Sequence, residues 1–139
     1  MCGPGAVIRS AYVLGAAGVV IPERRACAVT ATVVRTSAGA SEHLPVTQVT
    51  NLVRALGALR EAGYWLFGAA GGDGAAPEAL DLTGRAALVL GSEGSGLRRT
   101  VRQACDHIVS IPMDGPLSLN VSVAAGILLA EAARQRRAA

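Results

Sequence analysis

Short apolar runs with little polar alternation constrain this chain most. GVVIP (18–22), YWLFGAA (64–70), AALVL (86–90) and HIVSIPM (107–113) stay apolar along most of their length. A strand with one wet face alternates apolar and polar residues, whereas a strand covered on both faces does not. Helical segments fall between these runs, at Ala6 to Leu14, Asn51 to Ala62, Leu97 to Cys105 and Asn120 to Arg137. In the second of them Leu52, Val53, Leu56 and Leu59 recur at helical spacing, and Gly63 makes a good stop. The alternation predicts an α/β fold, with a mostly parallel sheet and helices on both faces. LPVTQVT (44–50) is a further short strand candidate. TATVVRTS (30–37) is β-branched but follows Ala-rich sequence, so its type stays open.

Composition narrows the class. With 139 residues the chain suits one domain with a real core, and no repeats or linkers interrupt it. Hydrophobic residues make up 51% but aromatics only 3%, so that core must be built from Ala, Val, Leu and Ile. No apolar run reaches the roughly 20 residues of a membrane helix. The start lacks a basic region, and Arg9 interrupts its apolar run, so no signal peptide is expected. Cys2, Cys27 and Cys105 are widely spaced, and His43 and His107 offer no ligand spacing. Reduced cysteines, no metal and a cytoplasmic setting are expected. The net charge is +3 and every basic residue is Arg. Arg pairs with phosphate in a bidentate way, which permits a nucleic-acid partner, although a soluble surface explains +3 equally well.

In a parallel sheet ligands sit at the carboxyl ends of the strands. Three loops gather there: GAAGGDG (68–74), GSEGSGL (91–97) and MDGPLSLN (113–120). The middle loop reads GxxGxG and is followed by neither Lys-Ser nor Lys-Thr, so it is neither a dinucleotide fingerprint nor a Walker loop. A tight strand-to-helix turn explains its glycines if geometry is their only role. Glu93 at its centre would repel a phosphate. Ser118 and Asn120 in the third loop suit helix caps, since both types favour that position. Taken with Glu93 they also place a carboxylate, a hydroxyl and an amide at adjacent strand ends. Such a site suits a neutral or cationic ligand held by backbone groups, and S-adenosylmethionine, which has a sulfonium and no phosphate, is one.

LVLGSEGSGL followed by SIPMDGPLSLNVSVAAGILLAE resembles motifs 2 and 3 of the SpoU (TrmH-type) RNA ribose 2′-O-methyltransferases of the SPOUT superfamily. GAVIRSA (5–11), SAGASEHLPV (37–46) and VTNLVRAL (49–56) extend the resemblance over essentially the whole chain. The resemblance implies a SPOUT-type α/β fold with a deep C-terminal trefoil knot, and a homodimer whose active site both subunits share. It implies S-adenosylmethionine in a pocket lined by Gly68, Ala69, Leu90, Gly91, Ile111, Met113 and Leu119. The implied reaction is methyl transfer to a ribose 2′-hydroxyl, ribosomal RNA being the first choice of substrate and transfer RNA the second. Arg9, reaching in from the partner subunit, would be the key catalytic residue. An Arg base is chemically unusual, because a free guanidinium titrates above about 12, so Arg9 would need a perturbed site or would orient the hydroxyl and its phosphate. Ser118 and Asn120 would position Arg9 or the ribose, and Glu93 would shape the site. Arg35, beside the SAGA turn, is a candidate RNA phosphate contact. Arg98, Arg99 and Arg102 read as a solvated helix face.

Two departures stand out. The family's first motif carries Asn where this chain has Gly3, and the family has a strand ahead of that motif. Residues 1–139 are therefore expected to form a single SPOUT domain lacking that strand and an N-terminal RNA-binding domain. The rival expectation is a truncated dimeric module that binds cofactor or RNA without catalysis. A generic phosphate-binding domain is the third.

Overall fold

A computed structural model describes residues 5–23, 31–36, 43–72, 74–91, 96–115 and 119–139. Along the chain come α1 (Gly5–Val13), β1 (Gly18–Pro22), β2 (Ala31–Arg35), β3 (Val46–Val49), α2 (Leu52–Glu61) and β4 (Trp65–Ala69). A 3-10 turn (Pro77–Ala79), β5 (Ala86–Leu90), α3 (Arg99–Ala104), β6 (His107–Val109) and α4 (Val121–Ala138) follow. One sheet holds all six strands in the order β3-β1-β2-β5-β4-β6.

The sheet is mixed but mostly parallel, as expected: five strands share one direction and β2 alone is reversed. β4 pairs in parallel with β5 and β6, and β1 with β3, but β2 runs antiparallel to both β1 and β5. The connection from β1 to β2, residues 23–30, is shorter than the crossover of about a dozen residues that a parallel pair requires. Consecutive strands joined that closely pair antiparallel. Within the open segment, Ala31–Arg35 thus forms a central strand with all five residues buried.

Two apolar layers cover the sheet, as the uninterrupted apolar strands require. α1 and α4 bring Val7, Ala11, Ala125, Leu128 and Leu129 against Val19, Val33, Phe67, Leu88 and Leu90. On the other face α2 and α3 bring Leu56 and Val101 against Leu66, Ala87 and Val89. Leu88 and Val89 pack on opposite layers, as the two-residue period of a strand demands. Asn51 caps α2 by accepting from the Arg54 N–H at 3.1 Å, and Gly63, with φ +95°, ends it. β6 is shorter than the run 107–113 suggested. Its ladder with β4 ends at Val109, and on its other side the Ala75 N–H donates to Ile108 O at 3.0 Å and the Ser110 N–H to Ala75 O at 2.8 Å.

Candidate active site

The parallel strands β4, β5 and β6 end together at one edge of the sheet. Ala69, Leu90 and Val109 close these strands, and the Ala70 N–H donates to Val109 O at 3.1 Å. Ser110 is the tie that fixes the edge. Its hydroxyl accepts from the Gly74 N–H at 3.0 Å and donates to Ala70 O at 2.7 Å. Ser110 is buried, and through it the loop after β4 is held against the end of β6. Nothing in the sequence marked this residue, because one serine inside an apolar run reads as part of the strand.

The glycines here serve the chain's own packing first. A Cβ at Gly68 would meet Cys105 Sγ, Leu97 Cδ1 and Ile108 Cδ1, and one at Gly91 would meet the backbone of Gly96 and Leu97. Only a hydrogen fits at either position, so the segment at 96–97 lies directly over two strand ends. Burial pushes the Cys105 thiol up to about 11; Asp106 adds to the shift, and Arg60 and Arg102 partly offset it. That thiol donates to Val101 O at 3.3 Å and acts as packing.

Leu90 and Gly91 are buried, Ala69, Ile111 and Leu119 half-buried, and Met113 exposed. The seven predicted pocket residues therefore split into a buried floor and a partly open apolar rim. No group of three or more metal-ligating side chains stands among the described residues. Apolar walls, backbone amides and carbonyls, and the close approach of the loop at 96–97 fit an adenosyl group lacking phosphate.

α1 and α4 bring the other candidates to this edge. A Cβ at Gly126 would lie 4.0 Å from Ser10 Oγ, and one at Gly15 would lie 2.9 Å from Arg136 Nη2. The helices thus run side by side in the same direction. Gln135, near the end of α4, accepts from the Leu82 N–H at 2.8 Å, just ahead of the first residues of β5. Both helices therefore start at the edge where β4, β5 and β6 end. Asn120 sits at the start of α4 as its cap, its Oδ1 accepting from Ser122 N–H at 2.9 Å and Ser122 Oγ at 2.6 Å. Arg9 stands exposed on α1, and no ion pair or hydrogen bond holds it among the described residues.

Glu93 and Ser118 lie outside the described residues, as does Gly3. Arg35 is placed against expectation. It is 1% exposed, and its Nε and Nη2 have no hydrogen-bond partner among the described residues. Burial and the neighbouring Arg136 lower its pKa to about 10. A phosphate contact needs an accessible guanidinium, and the fully paired central position of β2 denies one here.

The architecture defines the class: an α/β chain with a ligand edge at the carboxyl ends of three parallel strands and the start of a long helix. The SpoU rRNA Methylase family model matches residues 4–130, and the chain belongs to that family. It is 53% identical over 133 residues to the 23S rRNA (guanosine-2′-O-)-methyltransferase RlmB of Xanthomonas campestris, covering 95% of this chain and 53% of that protein. It is 56% identical over 135 residues to an uncharacterized tRNA/rRNA methyltransferase of Mycolicibacterium smegmatis, covering 96% of this chain and 43% of that one. The chain spans about half the length of these curated relatives. Among solved structures, the SpoU methyltransferase AviRb of Streptomyces viridochromogenes in complex with AdoMet superposes with a TM-score of 0.70 at 29% identity, over 97% of this chain and 56% of that one. The A. aeolicus TrmH/SpoU tRNA modifying enzyme gives a TM-score of 0.75 at 25% identity, over 96% and 68%.

Proposed function

We propose that this chain carries the catalytic unit of an S-adenosylmethionine-dependent RNA ribose 2′-O-methyltransferase acting on ribosomal RNA in the cytoplasm. The observation that carries the reading is the family match over residues 4–130, joined to the gathering of the β4, β5 and β6 ends at the start of α4. When bound, the cofactor supplies an electrophilic methyl group on a sulfonium. Ala69, Ile111, Met113 and Leu119 would enclose its adenosyl part, with Gly68, Leu90 and Gly91 as the floor. Glu93 and Ser118 keep the roles the resemblance gives them, shaping the site and positioning the ribose. The crowding of residues 96–97 over Gly68 and Gly91 supports a chain crossing of the trefoil type at this edge.

The reading includes a homodimer. Arg9 shares an exposed helix face with Tyr12 and Val13, three and four residues on. Tyr12 and Val13 are 55% and 71% exposed, and Val123 and Ile127 on neighbouring α4 are 49% and 39% exposed. A second copy packed on this apolar face would receive Arg9 at its own site. There the guanidinium would hold the 2′-hydroxyl oxygen and the adjacent phosphate, in keeping with its preference for bidentate anion contacts.

The test is transfer of labelled methyl from S-adenosylmethionine to bulk ribosomal RNA. The expected product is an alkali-resistant dinucleotide carrying the label. Label in transfer RNA alone would reassign the substrate. Cofactor binding without label in either RNA would favour a binding module, the reading that Gly3 in place of the family's Asn supports.

A further inference from the structure

A second feature lies at the opposite end of β4. Trp65, the chain's one tryptophan, is 59% exposed. Its ring centroid lies 6.1 Å from that of His107, with 35° between the planes. His107 in turn stacks on Phe67 at 5.4 Å and 21°. Phe67 is buried and pairs in register with His107 across β4 and β6, so it forms a fixed floor. The two outer rings stand exposed above it at the edge of the sheet. Asp106 locks the base of this arrangement. Its N–H donates to Leu66 O at 2.8 Å, its Oδ2 accepts from the Leu66 N–H at 2.7 Å, and its Oδ1 pairs with Arg60 at 2.9 Å.

Held rings with open faces suit a stacking partner, and every nucleobase has a π-face. Arginines stand on the α2–α3 face at the same end of β4, the face opposite the rings. Arg60 and Arg102 both lie near enough to Cys105, two residues before His107, to act on its thiol. Arg85 donates to Ala62 O and lies over the Tyr64 ring at 6.0 Å, and its carbonyl accepts from the Trp65 N–H. Asp106 is the acid in contact, and it is already paired with Arg60.

We propose that Trp65 and His107 form a stacking platform for an unpaired base of the RNA substrate, set apart from the methyl-transfer edge. This rests on RNA being the substrate. β4 rises about 3.3 Å per residue, so Trp65 stands about 13 Å along the strand from Ala69 and the cofactor end, and His107, level with Phe67, about 7 Å. The platform would hold a base some way along the strand from the methylated nucleotide and select RNA that is single-stranded there.

Because Trp65 is the sole tryptophan, its emission reports on the platform directly. Single-stranded ribosomal RNA fragments should quench it saturably, and the same sequence as a duplex should quench it less. Trp65→Leu should weaken RNA binding by about 5- to 100-fold, the range expected for losing one base–aromatic stack. Trp65→Phe should restore most of that loss, and His107→Ala should give a smaller one. S-adenosylmethionine affinity should stay constant in all three, which also reports that they fold. Methyl transfer to RNA with no change in Trp65 emission would overturn the platform and leave the methyltransferase reading intact. An emission change that follows protein concentration without RNA would mark a contact between copies and overturn it too. If the protein neither binds nor methylates RNA, both readings fail together.

Discussion

Asn120 has a structural role that its proposed part in the chemistry would share. Its cap bonds to Ser122 account for its place at the start of α4, and a cap is worth about 1 kcal/mol. An aspartate would keep the cap and lose the amide. Asn120→Asp should therefore retain its melting temperature within about 2 °C. Its methyl transfer should fall at least tenfold if the amide positions Arg9 or the ribose. Ser110 is a sharper structural case. Ser110→Ala takes the partner from the half-buried Gly74 amide and Ala70 carbonyl, which should destabilise the protein by about 1–2 kcal/mol in denaturant titration and weaken cofactor binding through the loop at 70–74. Cys105, its thiol titrating at about 11 in a buried position, should resist alkylation at pH 8 in the native protein and react once urea unfolds it. Peptide mapping of the labelled chain would read this out.

Among the elements, β2 carries the largest conflict. A buried guanidinium, with no hydrogen-bond partner for its Nε and Nη2 among the described residues, sits in a central strand of the sheet beside a second arginine. Because burial depresses the Arg35 pKa from its ordinary value to about 10, the unfolded chain holds the proton more tightly than the folded one. Its effect on stability is unfavourable, complete below about pH 10, and relieved as pH rises from there toward the ordinary guanidinium range. Arg35→Met should thus raise stability at neutral pH, by about 1–4 kcal/mol, measured by thermal or urea unfolding. The same strand marks where the sequence stopped being legible. GVVIP, WLFGA and AALVL announce themselves because a two-sided strand has no polar residue to confuse the period. ATVVR mixes β-branched and charged residues, and its direction depends on neighbours that no local pattern names. The edge of the sheet was legible from the strand ends and their loops. The hydroxyl that pins it was not, since Ser110 differs from a routine strand residue only by its partners.

At the scale of the whole molecule, the exposed face of α1 and α4 sets the expected assembly. Val13→Glu or Ile127→Glu would place a charge in the proposed dimer contact. Light scattering should then report a mass falling from two chains toward one, with methyl transfer lost because Arg9 no longer reaches a partner. The sheet has a further consequence, in its folding. Residues 18–49 supply β3, β1 and β2, while residues 65–109 supply β5, β4 and β6. The two half-sheets meet only along β2 and β5, and α1 and α4 clasp them from one side. The strand pairing at that seam joins residues 31–35 to 86–90, a long loop to close, so it should form late. It also contains the buried Arg35. Native-state hydrogen exchange should find two cooperative units divided at this line, with the amides of β1 and β3 opening at lower free energy than those of β4 and β5. The half carrying the strand ends of the active edge would then persist as a unit while the other half opens and recloses beside it.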